Sequence, residues 1–247
     1  MKLLIDIGNT RIKWGYDTGR DISDTGSIMH RGVAPENAMQ FIAGLRNDVD
    51  SVGVVNVAGI LMADALIIAI RQRFDVLPEF VRTTGHCAGV SNGYQAVEQL
   101  GADRWAAIVG AWDEFRSDVC VVDAGTAVTI DLVNNHGSHL GGMILPGLGL
   151  MAASLNNDTS DIQGFAQAPT GLVGDADWYG RDTASAVQRG AHFALRAAIM
   201  EAARLHGSKT RLVITGGDAD RLLPLGDCRV ELRPDLVLFG LRQLLKE

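Results

Sequence analysis

Two stretches of the sequence place an aspartate at the end of an apolar run, directly before a turn that contains glycine. Asp6 ends the run that opens the chain, and Asp123 ends a similar run half a chain later. This arrangement offers a carboxylate beside exposed backbone N–H groups, and both suit the phosphate chain of a nucleotide. In that interpretation Asp6 serves Mg²⁺, directly or through water, while the turn amides and Thr10 contact phosphates. A plain hairpin would explain one such turn, and the recurrence favours phosphate binding.

A third group of residues could supply a catalytic base. Asp103 opens a predicted helix, where an aspartate often only caps the exposed amides. Capping leaves unexplained the adjacent Arg104 and the nearby Tyr94, which add a cation and a phenol. A substrate hydroxyl could lose its proton to Asp103 while Arg104 holds an anionic group of the same substrate.

The turn Thr215–Asp218 carries two adjacent glycines between an apolar strand and a helix. Such a turn lets a flat ring lie against the backbone, which suits adenine or ribose, although an ordinary strand–helix turn has the same composition. Its position after both acidic turns favours a role in nucleotide binding.

Several other residues have interpretations that the sequence leaves open. Lys13 could reach a phosphate, or it could be an ordinary residue on the polar face of its strand. Asp131 is more typical of a structural residue than of a catalytic one. His136 and His139 flank a predicted turn, which is more typical of solvated side chains than of metal ligands. Cys120 alternates inward on its strand and is expected to fill the core.

The elements that must position these groups follow one pattern twice. Three antiparallel strands are followed by helix, strand, helix and strand, and the pattern returns from residue 118. This order predicts an α/β protein of two similar ribonuclease-H-like domains, as in actin-like and sugar-kinase-like ATPases, each with a mixed sheet and flanking helices around a central cleft. We expect the domains to span residues 1–115 and 116–247. The polar, glycine-rich stretch 156–179 is typical of a functional lid or mobile segment.

Composition limits the class of function. The 22 lysines and arginines against 29 aspartates and glutamates give a net charge of −7, so no broad basic surface indicates a nucleic-acid partner. The three cysteines are far apart, which indicates neither a disulfide framework nor a structural zinc site. The opening apolar run is too short for a signal peptide. No apolar stretch approaches the roughly 18–20 residues of a membrane span. We therefore expect a cytoplasmic protein.

With these motifs in place, the sequence resembles the type III pantothenate kinase family over nearly its full length. Any one motif is common, but six of them in the family's order are specific. They are DIGNT at Asp6–Thr10, GADR at Gly101–Arg104, DAGTA at Asp123–Ala127, GGMILPG at Gly141–Gly147, the helix start Thr183–Gly190 and TGG at Thr215–Gly217. The chain departs from the pattern near Val97, where many members have a proline, and this affects the expected shape of the loop after Tyr94.

The resemblance implies ATP-dependent phosphorylation of pantothenate to 4′-phosphopantothenate, the first step of coenzyme A biosynthesis. It implies that Asp103 is the catalytic base and that Asp123 binds a monovalent cation, K⁺ or NH₄⁺. It also implies a homodimer with pantothenate near the subunit interface, where Thr183 of the partner subunit reaches in. The residues implied to bind pantothenate are Tyr94, Gly101, Ala102, Asp103, Arg104 and Thr183. Those implied to bind ATP are Asp6, Ile7, Gly8, Asn9, Thr10, Arg11, Ile12, Lys13 and Thr126.

Two rival interpretations stay open. Another kinase or a phosphatase of the same fold could act on a sugar or acetate, but it would not need the group Tyr94, Asp103 and Arg104. A nucleotide-sensing regulatory module without turnover is the second. The intact candidate base and the lack of a basic stripe argue against it.

Overall fold

The structure is a computed structural model that describes residues 1–19, 21–158 and 178–246. Its internal contacts divide the chain into two compact units, Met1–Glu114 together with Asp235–Glu247, and Phe115–Pro234. Each unit contains a five-stranded mixed sheet with flanking helices. The expected α/β fold class is confirmed.

The helices and strands are numbered in chain order. The chain as far as α3 contains β1 (Lys2–Ile7), β2 (Arg11–Asp17), β3 (Ile22–Met29), α1 (Pro35–Ala38), β4 (Ser51–Asn56), α2 (Ile60–Phe74), β5 (Glu79–Phe80), β6 (His86–Cys87), β7 (Val90–Ser91) and α3 (Ala102–Phe115). The remainder contains β8 (Val119–Ala124), β9 (Ala127–Val133), β10 (His139–Pro146), α4 (Leu148–Asp158), α5 (Thr183–His206), β11 (Arg211–Thr215), α6 (Ala219–Leu222), β12 (Val230–Leu232) and α7 (Leu236–Leu244). Short 3₁₀ helices cover Met39–Gly44 and Val97–Gln99.

The sheet of the first unit has the order β3-β2-β1-β4-β5. Its central strand β1 pairs antiparallel with β2 and parallel with β4. Because β1 is covered on both faces, its apolar residues form a continuous buried run rather than an alternating one. The run delivers Asp6 to the end of the strand, opposite Lys13 on β2.

The closing helix α7 packs within the first unit, which differs from the expected division at residues 1–115 and 116–247. Its Gly240 lies so close to α3 that a Cβ there would overlap the carbonyl oxygen of Ala106. Gln243 Nε2 also donates a hydrogen bond of 2.6 Å to Asp113 Oδ2 on α3. Because α7 comes last in the sequence, we expected it in the second domain. It packs beside α3 in the first unit, because glycine allows the two helices to approach closely.

The second unit repeats the sheet of the first. Its order is β10-β9-β8-β11-β12, with the central strand β8 antiparallel to β9 and parallel to β11. The apolar face of α5, including Leu195 and Ile199, is buried in the core that covers this sheet. The repeat therefore places Asp123 on β8 where the first unit has Asp6 on β1.

Most of the stretch expected to act as a lid, residues 156–179, lies outside the described residues: only its first three residues, which end α4 at Asp158, and its last two, from Trp178, lie within them. In the parts of the chain that the structure describes, no helix combines the length and apolarity needed to span a membrane.

Candidate active site

The turn between β1 and β2 is a tight hairpin that holds the first acidic motif. Gly8 N donates to the carbonyl oxygen of Arg11 over 3.0 Å, which closes the turn. Asp6 is buried behind the turn, whereas Asn9 at its tip is exposed. The side chains of Ile7 and Ile12 are fully buried in the core of the sheet. If these two residues contact ATP, they can do so only through their backbone atoms.

The candidate base lies in the first turn of α3, as the sequence predicts. Asp103 Oδ1 accepts a hydrogen bond of 2.8 Å from the backbone N–H of Arg104. The chain just before the helix is fixed because Thr83 Oγ1 donates to the carbonyl oxygen of Leu100 over 2.6 Å. The positive end of the helix dipole stabilises a carboxylate at this position. Asp103 is only partly buried, so its carboxylate can be reached by a substrate.

The structure brings Arg104 and Tyr94 together beside the start of α3. Arg104 is only 6% exposed, and its Nη1 donates to Tyr94 Oη over 2.9 Å. The guanidinium carbon also lies 5.5 Å from the centre of the Tyr94 ring. Asn92 Oδ1 accepts from the N–H of Tyr94 over 2.9 Å, which fixes the loop that carries the phenol. A planar guanidinium held in this way can bind a carboxylate through two parallel hydrogen bonds.

Gly101 controls where the Asp103 carboxylate can lie. A Cβ at Gly101 would come within 2.6 Å of Asp103 Oδ1, so the carboxylate would have to move. We expect Gly101→Ala to lower kcat by about 10- to 100-fold, since a displacement of about 1 Å at the reacting groups can cost about 100-fold. The melting temperature should change little, because a side-chain end moves more easily than backbone. Steady-state kinetics measure kcat, and thermal unfolding measures the melting temperature. A Gly101→Ala variant with full kcat would contradict the role of Gly101 in positioning the Asp103 carboxylate.

The second acidic turn is assembled from two motifs of the second unit. Thr215 on β11 pairs in parallel register with Asp123 on β8. Gly216 follows with a φ of +98°, and a Cβ there would overlap the carbonyl oxygen of Ala124. Asp218 N donates to that same carbonyl oxygen over 2.8 Å. The TGG turn therefore lies directly against Asp123, which its distance in the sequence does not reveal.

A third motif packs against the same turn. Gly147 N donates to the carbonyl oxygen of Thr126 over 2.9 Å. A Cβ at Gly147 would overlap the carbonyl oxygens of Gly125 and Thr126, so only glycine fits this close approach. The segments DAGTA, GGMILPG and TGG thus form one compact group at the end of β8.

Thr183 is the first residue of α5, at a helix start fixed by a capping box. Asp182 Oδ1 accepts from Ser185 N over 2.9 Å, and this hydrogen bond holds the pKa of Asp182 below its usual value. Thr183 itself is exposed. It belongs to the second unit, whereas the other residues expected to bind pantothenate belong to the first.

The structure tests the predictions for three side chains outside the motifs, namely His139, Cys120 and His136. The prediction that the His139 side chain is solvated is wrong. His139 is buried, and its Nε2 lies 3.0 Å from Asp131 Oδ1. The expectation of a buried Cys120 is confirmed, and burial raises the pKa of its thiol to about 12. His136 is exposed, as expected.

Sequence reasoning missed two titratable residues, one at the first turn and one that interacts with Lys13 on β2. His30, just after β3, has its Nε2 2.7 Å from the carbonyl oxygen of Gly8. Asp235, just before α7, is partly buried, and this burial raises the pKa of its carboxyl against the opposing effect of Lys13. Neither residue belongs to a motif, and only the pairing of β3 and the packing of α7 place them here.

A divalent ion at Asp6 would need ligands beyond the protein. Within residues 1–19, 21–158 and 178–246, the structure contains no group of three or more histidine, cysteine, aspartate or glutamate side chains that could hold a metal. Mg²⁺ often binds through one or two carboxylates together with phosphate oxygens of the substrate. The Asp6 carboxylate fits that mode of binding.

Two units with the same sheet order, each with an acidic turn at the end of its central strand, form the two-domain α/β fold that the sequence predicts. Solved structures share this fold. One, from Campylobacter jejuni, is provisionally named a Baf family transcriptional activator; it has a TM-score of 0.62 and 22% identity, over 99% of this chain and 97% of that one. Another, from Sinorhizobium meliloti, is provisionally named a 2-dehydro-3-deoxygalactonokinase. It has a TM-score of 0.62 and 11% identity, and the match covers 100% of this chain and 98% of that one. At these identities the likeness concerns the fold alone.

The sequence comparisons identify the family. The family described as type III pantothenate kinase matches residues 2–204. A type III pantothenate kinase from Nitrosococcus oceani is 34% identical over 257 aligned residues, which cover 100% of this chain and 94% of that protein. The chain therefore belongs to the type III pantothenate kinase family and is a phosphotransferase. The family expected from the six motifs is confirmed.

Proposed function

We propose that the chain transfers the γ-phosphate of ATP to the primary hydroxyl of pantothenate, toward coenzyme A, with Asp103 as the base. Membership of the family supports the reaction and both substrates. The observation that carries the assignment of the base is the group at the start of α3. There a partly buried carboxylate adjoins a buried arginine whose guanidinium is held by Tyr94. In this group Asp103 can accept a proton, and Arg104 can bind an anion.

In the proposed reaction Asp103 accepts the proton of the hydroxyl as its oxygen attacks the γ-phosphorus in line with the departing ADP. Arg104 holds the pantothenate carboxylate and so fixes the distance between the hydroxyl and the base. Such transfers depend mainly on positioning and on neutralising charge. Asp6 would hold the Mg²⁺ that binds with ATP, and the ion would supply that neutralisation. The hairpin Gly8–Lys13 binds the phosphates. In the second unit, Thr126 contributes to ATP binding.

The reaction is tested with a coupled assay of ADP release, run with and without pantothenate. We expect release to depend on pantothenate and the product to be 4′-phosphopantothenate by mass spectrometry. Glucose and acetate in place of pantothenate serve as controls for the sugar and acetate kinases of the same fold. Equal ADP release with glucose, or no release above background with pantothenate, would overturn the proposal.

We also propose that Asp123 binds K⁺ or NH₄⁺. A Cβ at Gly216 would meet both Asp123 Oδ1 and the carbonyl oxygen of Ala124, and oxygen donors of these two kinds suit a hard cation. The structure itself contains residues that fit this role, but the choice between the two cations rests on the family resemblance.

Replacing K⁺ and NH₄⁺ by Na⁺ is expected to raise KM for ATP roughly tenfold or more, since a contact to a charged group contributes about 1.5–3 kcal/mol. Asp123→Asn should show the higher KM in every salt. Asp220→Asn, an exposed aspartate of the same unit, should keep the wild-type response. Initial rates across ATP concentrations in each salt provide the measurement. A wild-type enzyme indifferent to Na⁺ would argue against the cation site.

We further propose that the chain forms a homodimer through the aromatic cluster Trp178, Tyr179 and Phe193, whose three side chains are exposed. The ring centres lie 5.5 Å (Trp178 to Tyr179) and 5.9 Å (Trp178 to Phe193) apart. An exposed group of this kind is typical of a protein–protein interface. Trp178 and Tyr179 lie shortly before α5, which begins at Thr183, and Phe193 lies near the middle of that helix. A partner subunit bound here would therefore bring its own α5 start close to the interface.

Phe193→Glu is expected to convert the dimer to a monomer and to lower activity, because a ring covered by the partner subunit would be replaced by a charge. Leu205→Glu is the matched control, since Leu205 is an exposed apolar residue near the other end of the same helix. Sedimentation velocity measures the mass of each variant. A wild-type monomer at all concentrations, or a dimer that tolerates Phe193→Glu, would exclude this surface.

A further inference from the structure

His30 holds the phosphate-binding turn through two hydrogen bonds. Its backbone N–H donates to the carbonyl oxygen of Thr10 over 2.9 Å, and its Nε2 lies 2.7 Å from the carbonyl oxygen of Gly8. A carbonyl oxygen can only accept, so Nε2 carries the hydrogen and the ring is the donor. His30 is only 6% exposed, so its ring is held in place by the surrounding residues.

These two bonds lie on either side of Asn9, at the tip of the turn. The peptide group that joins Gly8 to Asn9 is planar and trans, so its C=O and N–H point in opposite directions. Because His30 fixes the direction of the Gly8 carbonyl, it also fixes the direction of the Asn9 N–H. That N–H is directed away from the His30 ring, and Asn9 is exposed.

We propose that His30 is a positioning residue for ATP: it sets the Asn9 N–H as a donor to the phosphate chain without touching the nucleotide. This inference rests on the proposed function, in which the turn binds phosphates. If the Gly8 carbonyl lost its partner, the Gly8–Asn9 peptide could rotate, and the donor would no longer be held ready. The loss would appear as weaker binding of nucleotide and not as weaker binding of pantothenate.

Substitutions at His30 that place a side-chain N–H donor at different distances from the backbone test this role. The amide nitrogen of glutamine reaches about as far from the backbone as Nε2 of histidine, whereas that of asparagine reaches about as far as Nδ1. His30→Gln can therefore restore the bond to Gly8, and His30→Asn cannot. His30→Leu fills the space without a donor. His206→Leu is the matched control, because His206 Nε2 makes the same kind of bond, 3.0 Å long, to the carbonyl oxygen of Val133 in the second unit.

The experiment measures ADP affinity by titration calorimetry without pantothenate, and KM for both substrates. We expect His30→Leu and His30→Asn to bind ADP about tenfold more weakly, the size of effect that follows loss of one buried hydrogen bond. KM for ATP should rise in parallel, and KM for pantothenate should stay within about twofold, since no bond of Arg104 is touched. His30→Gln and His206→Leu should resemble the wild type.

Thermal unfolding of each variant separates this role from a contribution to stability alone. If all His30 variants melt lower yet bind ADP as the wild type does, the inference is overturned and His30 only supports the fold. The same holds if His30→Gln loses as much affinity as His30→Leu. A wild-type protein that binds no ADP would instead contradict the proposed function itself, which distinguishes the two failures.

Discussion

Asp103→Asn is expected to lower kcat by about 10²- to 10⁴-fold, the contribution typical of a general base. The amide has nearly the shape of the carboxylate, and its oxygen can still accept from the N–H of Arg104 as Oδ1 does now at 2.8 Å. The helix start should therefore survive, while the ability to take a proton is lost. ATP affinity, measured by calorimetry with a non-hydrolysable analogue, should stay within about twofold, because the proposed base acts on the acceptor substrate and not on ATP.

Asp113→Asn is the matched control for this experiment. Asp113 lies on the same helix, but its carboxylate accepts from Gln243 and belongs to the contact between α3 and α7. Its replacement should leave kcat nearly unchanged and lower stability slightly. Rapid-quench measurement of the first turnover removes the effect of slow product release. Full first-turnover activity in Asp103→Asn would show that another group accepts the proton.

Arg104→Lys is expected to raise KM for pantothenate by about 100-fold, although the positive charge is kept. A lysine ammonium lacks the planar fork that binds a carboxylate through two parallel bonds, and charged hydrogen bonds contribute about 1.5–3 kcal/mol each. The buried position allows little adjustment, since Arg104 packs against Tyr94 and bonds its Oη over 2.9 Å. KM for ATP should not change beyond about twofold.

A neutral substrate distinguishes binding of the carboxylate from support of Tyr94. Pantothenol carries a hydroxymethyl group in place of the carboxylate, so it cannot use the guanidinium fork. If Arg104 binds the carboxylate, Arg104→Lys should impair the reaction of pantothenate far more than that of pantothenol. Tyr94→Phe, which removes only Oη, should cost about 3- to 10-fold with pantothenate. Equal losses on both substrates would reduce Arg104 to a structural support of the loop.

The sequence by itself determined the parts of this protein that depend on local pattern. A continuous apolar run predicts a central buried strand, and an aspartate followed by glycine predicts the acidic turn at its end. Both turns occur where expected, at Asp6 and Asp123, and the sheets around them repeat. The start of α3 beside Asp103 follows from equally local signals. These features are readable because neighbours in the chain decide them.

The tertiary structure alone decided which distant residues complete the site. His30 meets Gly8 because β3 pairs with β2, and α7 joins the first unit because Gly240 admits the backbone of α3. His139 is buried against Asp131 although its sequence position suggested a solvated turn. None of these contacts leaves a periodic signal, because each depends on how two separately formed elements pack. The first acidic turn is thus set by its own sequence, whereas the groups that hold it in shape come from elsewhere in the fold.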